Sequence, residues 1–235
     1  MNVNTMNVNR SRFADANDVD EVTRVFVEAM QDDPAWPYRF PHRKEHPEQH
    51  FECCKDLMRR LISPEYADWC VQVIEVPYGP GWNIVSFAVW DMSYLRKRVF
   101  GANCVLKSPL QDNDVECSGR EDMDPGHVKA FQDAMKEGAK KYFSQFGIDQ
   151  IKLQILGTLP EHRRRGFARS LCDWGQKRAL RDRASLTLYA SPGGTQLYRR
   201  LRFSTLGDQT IQAPGEETSL TLKCMVFNPV VPLDF

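Results

Sequence analysis

Residues 153–180, LQILGTLPEHRRRGFARSLCDWGQKRAL, pass from a strand pattern to a helix pattern through a turn that holds Arg163, Arg164, Arg165 and Gly166. In the strand, Ile151, Leu153 and Ile155 point one way, while Lys152, Gln154 and Leu156 point the other. From about residue 165 to 183, Phe167, Ala168, Leu171, Cys172, Gly175 and Ala179 form a helical stripe, with Arg169, Asp173 and Lys177 opposite. A helix N-terminus already presents free N–H groups and partial positive charge, so arginines placed there add to the field instead of offsetting it. Two readings fit: a solvated basic turn that opens a surface helix, or a receptor for a phosphate or pyrophosphate. Gly166, without a Cβ, lets the backbone come close to an anion, and neighbouring arginines add bidentate contacts. Spacing alone does not separate the two. Neither GxGxxG nor GxxxxGK[ST] occurs, so the nucleotide folds built on those loops are not supported.

Upstream, residues 11–30 predict a short strand, a turn and a helix, with Asp18 as its cap, Glu21 three positions on, and Val22, Val25, Phe26 and Ala29 as its apolar stripe. The proline- and histidine-rich residues 32–50 read as an ordered loop, and 48–62 as a second helix ending before Pro64. WCVQVIEV and WNIVSFAVW flank the turn PYGPG and predict a hairpin. Residues 91–126 lose all periodicity and read as a long irregular insertion: a lid, a crossing loop or a disordered insert. Val128, Phe131, Met135, Ala139, Tyr142 and Phe146 then mark one helical face, ended by Gly147. Downstream, SLTLYA, RFSTLG and SLTLKCMVF are strand candidates around the short helix of SPGGTQLYRRL. Helices interleaved with strands, and strands grouped at the end, indicate an α/β or α+β class with a mixed sheet in a single domain spanning 1–235.

Composition limits the function classes. With 31 basic and 31 acidic residues the net charge is zero, which argues against broad nucleic-acid binding and leaves room for a local basic site. No apolar run approaches about 18 residues, so no membrane span is expected. The seven cysteines show no CxxC pair, and with an N-terminal stretch lacking an apolar leader they suit a reducing, cytoplasmic setting. His42, His46 and His50 recur at four-residue spacing, but Pro41 and Pro47 interrupt a shared helix and no ligand set is completed, so no metal site is expected. Trp36, Tyr38 and Phe40 are either packing or the wall of an aromatic pocket. Cys172, on the helical stripe, reads as core.

Residues 150–208, with LQILGTLPEHRRRGFARSLCDWGQKRAL followed by LTLYASPGGTQLYRRLRF, resemble the core of the GCN5-related N-acetyltransferases. Arg163 to Ala168 satisfy each defined position of that family's coenzyme motif, [Q/R]-x-x-G-x-[G/A], in a strand-to-helix context. The proline-rich front segment is similar to fungal-type members. The resemblance implies a mixed, mostly antiparallel central sheet flanked by helices, and acetyl-CoA as acyl donor. It places the pyrophosphate on the backbone of Arg164, Arg165, Gly166, Phe167 and Ala168, with Arg163 beginning the motif, and the pantetheine arm along Leu156, Gly157 and Thr158. Independently, Gly157 interrupts an apolar strand, which marks a bulge, a close backbone approach or a simple bend.

Acetyl transfer needs a neutral amine, a polarised carbonyl and a proton for the departing thiolate. By resemblance Tyr198 supplies that proton; by periodicity alone, between Leu197 and Leu201, it would be packing. No base stands out. Lys152 and Gln154 face outward from the strand, while Glu28, Asp32, Asp33, Glu116, Asp122 and His127 are loop or helix-end candidates, although a charged loop residue is most often simply solvated. Arg202 replaces the glycine usual in the family's final signature, so that turn is expected to do without glycine's torsional freedom. The implied function is N-acetylation of a small-molecule amine; the alternatives are acetylation of a protein or peptide amine, and a binding protein without catalysis.

Overall fold

The computed structural model describes residues 9–110, 117 and 119–229. Alternating apolar residues build one sheet of seven strands: β1 (Arg10–Phe13), β2 (Trp69–Tyr78), β3 (Gly81–Asp91), β4 (Gln150–Thr158), β5 (Ser185–Ala190), β6 (Ser204–Ile211) and β7 (Leu220–Phe227). Their order is β1-β2-β3-β4-β5-β7-β6, and every adjacent pair is antiparallel except β4 and β5. The fold is therefore the mixed, mostly antiparallel α/β architecture the sequence predicts.

The helices are α1 (Val19–Met30), α2 (Ala35–Arg39), α3 (Pro47–Ile62), α4 (Tyr94–Phe100), α5 (Pro125–Gly138), α6 (Phe167–Asp182) and α7 (Pro192–Arg200). Phe87 and Trp90 of β3 lie three positions apart and so face opposite sides of the sheet. Phe87 meets Phe26 of α1 edge-on at 5.9 Å, and Trp90 meets Trp174 of α6 at 5.4 Å, which places these helices on the two faces. All four rings belong to one core or its border. No described helix is long and apolar enough to cross a membrane.

Several local expectations change. Asp18 does not cap α1 through its side chain; its carboxylate accepts from the Asp15 backbone N–H and from Arg12, and Asp15 caps the preceding turn. Glu21 accepts from the Ile84 backbone N–H at 2.8 Å, tying α1 to β3. The segment read as a loop contains α2, and the segment read as irregular contains α4, both too short for helical periodicity to be legible. The helix continuing α5 widens into a π turn over Ala139–Phe143 before Gly147, at φ +60°, ends it.

Those two front segments are joined to each other. The His42 N–H donates to the Asp122 carbonyl and the Asp124 N–H to the Arg39 carbonyl, at 3.2 and 3.0 Å. Beneath them His50 Nδ1 donates to Asp122 at 2.6 Å, Arg120 donates to both Asp122 oxygens, and Trp36 Nε1 donates to His50 Nε2 at 3.2 Å. The indole donor leaves His50 its proton on Nδ1. Burial opposes ionisation of Asp122, but Arg120 and His50 outweigh it and hold its carboxyl well below the usual range. Cys53 of α3 is disulfide-bonded to Cys117, a pairing absent from the reading of the cysteines as suited to a reducing compartment. Cys172 is fully buried, as expected of a core residue.

Candidate functional site

The site begins where β4 changes character. Opposite β3, Val89 pairs with Ile155 and Trp90 with Leu153, so Gln154 is an extra residue bulged out of the ladder. Parallel pairing with β5 covers only Gln150–Leu153 against Ser185–Leu188 and stops at the bulge. Beyond it, the two strands part and β4 leaves a length of edge free for an extended ligand.

Into this opening runs a cleft of about 490 Å³ lined by the end of β4, the last turn of α1, the turn before α6 and the face of α7. Leu156, Gly157, Thr158, Arg163, Arg164, Gly166, Phe167, Ala168 and Tyr198 all line it. Arg165 does not; its guanidinium donates to the Glu161 carbonyl at 3.0 Å, although its backbone remains part of the turn. Residues given no part in a site by the sequence also line the cleft: Ala29, read only as helix packing, and Met30, His162, Ser191 and Arg200. Of these, His162, Ser191 and Arg200 lie in the stretches that carry the resemblance, without a role assigned there.

The turn suits an anion. Arg164 and Gly166 adopt φ +65° and +89°, and no side chain caps the start of α6, so its first N–H groups are unclaimed by side chains. A Cβ built on Gly166 would meet no protein atom within 4 Å, so this glycine serves the backbone's left-handed turn and the space beside it. Gly157 behaves in the opposite way. Its Cβ would lie 2.5 Å from the Phe87 ring and 3.1 Å from the Ala29 side chain. The bulge is therefore at Gln154, and the close approach at Gly157 is to the protein's own core.

Arg163 crosses the base of the cleft. Its Nη1 donates to Asp32 at 2.6 Å, its Nη2 to the Ala29 carbonyl at 3.2 Å and its Nε to the Thr158 carbonyl at 3.3 Å.

Tyr198 is buried, edge-on to Phe203 at 5.5 Å. No protein group among the described residues takes up its hydroxyl. Burial, with the Cys172 thiol and the Asp33 carboxylate adding to it, pushes the phenol well above 10, so it keeps its proton at neutral pH. His162 also enters the cleft; burial, and then the Arg165 charge, lower its pKa and so favour the neutral imidazole.

The remaining candidates are dispersed. Asp32 and Asp33 reach the cleft, but Asp32 holds Arg163 and Asp33 accepts from the Ala35 N–H at 2.9 Å. Glu28 pairs with Arg24 on α1, Lys152 with Asp91, and Asp122 is buried against His50. Glu116 lies outside the described residues. His127 stacks on Tyr38 at 4.0 Å, donates from Nδ1 to the Tyr38 carbonyl at 2.7 Å, and meets Glu216 through Nε2. Burial works against its charged form, but these two acceptors raise its pKa. Trp36, Tyr38 and Phe40 are all buried in packing and none lines the cleft. His42, His46 and His50 turn to Glu45, Glu121 and Asp122 respectively. Among the described residues no three His, Cys, Asp or Glu side chains converge as a metal requires.

No family model and no curated protein matches this sequence. Solved structures do resemble it. A polyamine N-acetyltransferase of Drosophila melanogaster, an enzyme that forms N-acetylagmatine, is 14% identical with a TM-score of 0.59, over 94% of this chain and 100% of its own. The PaiA N-acetyltransferase of Thermoplasma acidophilum, solved with coenzyme A, is 10% identical with a TM-score of 0.52, covering 94% of this chain and 99% of its own. A GCN5-related N-acetyltransferase of Rhodopseudomonas palustris is 15% identical with a TM-score of 0.50, covering 95% and 98%. At these identities the likeness concerns architecture: the chain has the fold of the GCN5-related N-acetyltransferases.

Proposed function

We propose that the chain is an acetyl-CoA-dependent N-acetyltransferase acting on a small amine. The observation that carries this reading is a single cleft joining three features of different origin: a strand edge freed at the Gln154 bulge, a left-handed turn opening α6, and a buried, protonated tyrosine. The coenzyme-bound neighbour of the same fold supports an acyl-CoA in this cleft.

Acetyl-CoA brings the activated thioester. The chain's residues do the rest. Backbone N–H groups from Arg164 to Ala168 bind the pyrophosphate, with Arg163 beginning the turn, and Leu156, Gly157 and Thr158 give the pantetheine arm a strand edge to pair with. The amine nitrogen forms a bond to the acetyl carbon as the C–S bond breaks, and Tyr198 Oη delivers its proton to the departing sulfur. The proton lost by the amine leaves through water or a neutral group of the cleft.

Support for a small acceptor comes from the front segments, where residues 32–50 and 119–126 are joined by backbone hydrogen bonds and by the buried His50–Asp122 contact instead of standing apart as an open peptide groove. One observation favours the second reading, coenzyme binding without catalysis: both carboxylates in the cleft are engaged, Asp32 by Arg163 and Asp33 by the Ala35 N–H. Thiol release from acetyl-CoA, screened with small amines and with lysine-bearing peptides, tests all three. Faster release with small amines is expected. Release with peptides only would transfer the assignment to a protein acetyltransferase, and tight coenzyme binding with no release to any amine would leave a binding protein.

A further inference from the structure

Resting on that reading, we propose that the Arg163 side chain is a positioning residue: it fixes the α1 end of the cleft to β4 and is not a phosphate ligand. The motif residue sits among three consecutive arginines, and its place suggests anion binding. Its guanidinium is spent elsewhere. One fork satisfies Asp32, the Ala29 carbonyl and the Thr158 carbonyl.

The two carbonyls need such a partner for different reasons. Ala29 lies in the last turn of α1, where carbonyls have no partner inside the helix. Thr158 is the last residue of β4, where the ladder ends. Their separation is set by direct packing, because Gly157 lies against the Ala29 side chain with no room for a Cβ. Arg163 holds this contact from the outside, with donors in a rigid planar array that a lysine ammonium cannot reproduce.

The consequence reaches the ligand. Ala29, Met30, Asp32 and Asp33 form one wall of the cleft, and the Arg163 backbone begins the turn on the other side. A displaced guanidinium would release the wall while leaving the N–H groups of the α6 turn in place. The Asp32 pair alone is too exposed to do this, with side chains 38% and 68% accessible. The carbonyl contacts make the difference, since donors shared between a helix end and a strand end fix geometry as well as charge.

The test compares Arg163→Gln, Asp32→Asn, their double variant and Arg163→Lys. It measures acetyl-CoA affinity against salt, KM and kcat for a responding amine, and hydrogen exchange over residues 29–34. Arg163→Gln is expected to weaken acetyl-CoA binding and raise the amine KM by about 3- to 10-fold, the size of one or two lost charge-assisted hydrogen bonds. The kcat should change less, and the salt dependence of coenzyme binding should stay that of the unmodified protein, because no phosphate contact is lost. Asp32→Asn should weaken binding in the same direction but by less than Arg163→Gln, because the two carbonyl contacts remain; the double variant should lose less than the sum, and exchange over 29–34 should quicken in all three, least in Asp32→Asn. Arg163→Lys should restore part of the loss. A flatter salt dependence in Arg163→Gln, with Asp32→Asn binding acetyl-CoA as well as or better than the unmodified protein, would make Arg163 a phosphate ligand and overturn the proposal. Failure of the unmodified protein to bind acetyl-CoA would defeat the functional reading instead, and exchange over 29–34 would still decide whether Arg163 holds the α1 end.

Discussion

The turn between β4 and α6 and the front wall over α2 and α3 differ in how far apart in the chain their partners lie. In the first, Leu156 to Ala168 build most of one side of the cleft from consecutive residues, and the parts that matter are backbone N–H groups and two positive φ angles. In the second, His50 meets Asp122 across 72 positions, Cys53 meets Cys117 across 64, and His127 meets Glu216 across 89. A site made from local backbone writes itself into a short motif. A wall made from distant side-chain pairs leaves only isolated polar residues in the sequence, each of which looks solvated.

The largest effect is expected at Tyr198 of α7, which lines the cleft and belongs to neither region. Tyr198→Phe keeps the buried ring and removes only the hydroxyl. Single-turnover transfer is expected to fall by about 10²- to 10⁴-fold with acetyl-CoA affinity nearly unchanged. Transfer at the unmodified rate would remove the residue from the acid role.

Next in size is the front wall itself. His50→Ala leaves Asp122 buried and paired only with Arg120, and takes the ring away from Trp36 and Phe40. A loss of about 3 kcal/mol in denaturant unfolding is expected, the scale of breaking a buried charged network. A loss below about 1 kcal/mol would mean that the wall is not held by this cluster.

The two glycines of the β4–α6 region sharpen the contrast between packing and binding. Gly157→Ala should cost roughly 1–3 kcal/mol of stability by overpacking against Phe87. Gly166→Val meets no protein neighbour, so beyond the torsional strain of φ +89°, about 1–2 kcal/mol, its main effect should be weaker acetyl-CoA binding by calorimetry. Loss of affinity in neither variant would detach the coenzyme from this turn.

A smaller effect is expected at Arg202. The family glycine is replaced, yet the structure places Arg202 at φ +63°, so the turn keeps its left-handed geometry and the side chain bears the strain. Arg202→Gly should therefore raise stability by about 0.5–1 kcal/mol in thermal or denaturant unfolding.

The smallest effect is a pH dependence. His127 has its pKa raised above 6.5 by acceptors on both nitrogens, so its stabilising contribution is complete below the unfolded value of 6.5 and is lost as pH rises through the folded value. His127→Gln should flatten this decline in unfolding curves measured between pH 6 and 8. An unchanged decline would place its cause elsewhere.

What the sequence determined by itself was the alternation that makes β4, the stripe that makes α6, and the glycine that lets the turn between them face an anion. These depend on residues within a few positions of one another, and periods of 2 and 3.6 are legible without knowing the partner. The sheet class followed from the order of such elements. Only the tertiary structure decided that the bulge falls at Gln154 instead of Gly157, because a bulge is a relation between two strands and Val89 to Trp90 of β3 define it. It alone showed that the Arg163 guanidinium is occupied, since Ala29 and Asp32 lie more than 130 positions away. The same holds for Asp122 and His127, which the sequence left as possible bases and the fold turns into struts of the front wall. Their charge could be read from composition. Their burial and their partners could not, because these are fixed by which chain segments the packed core brings together.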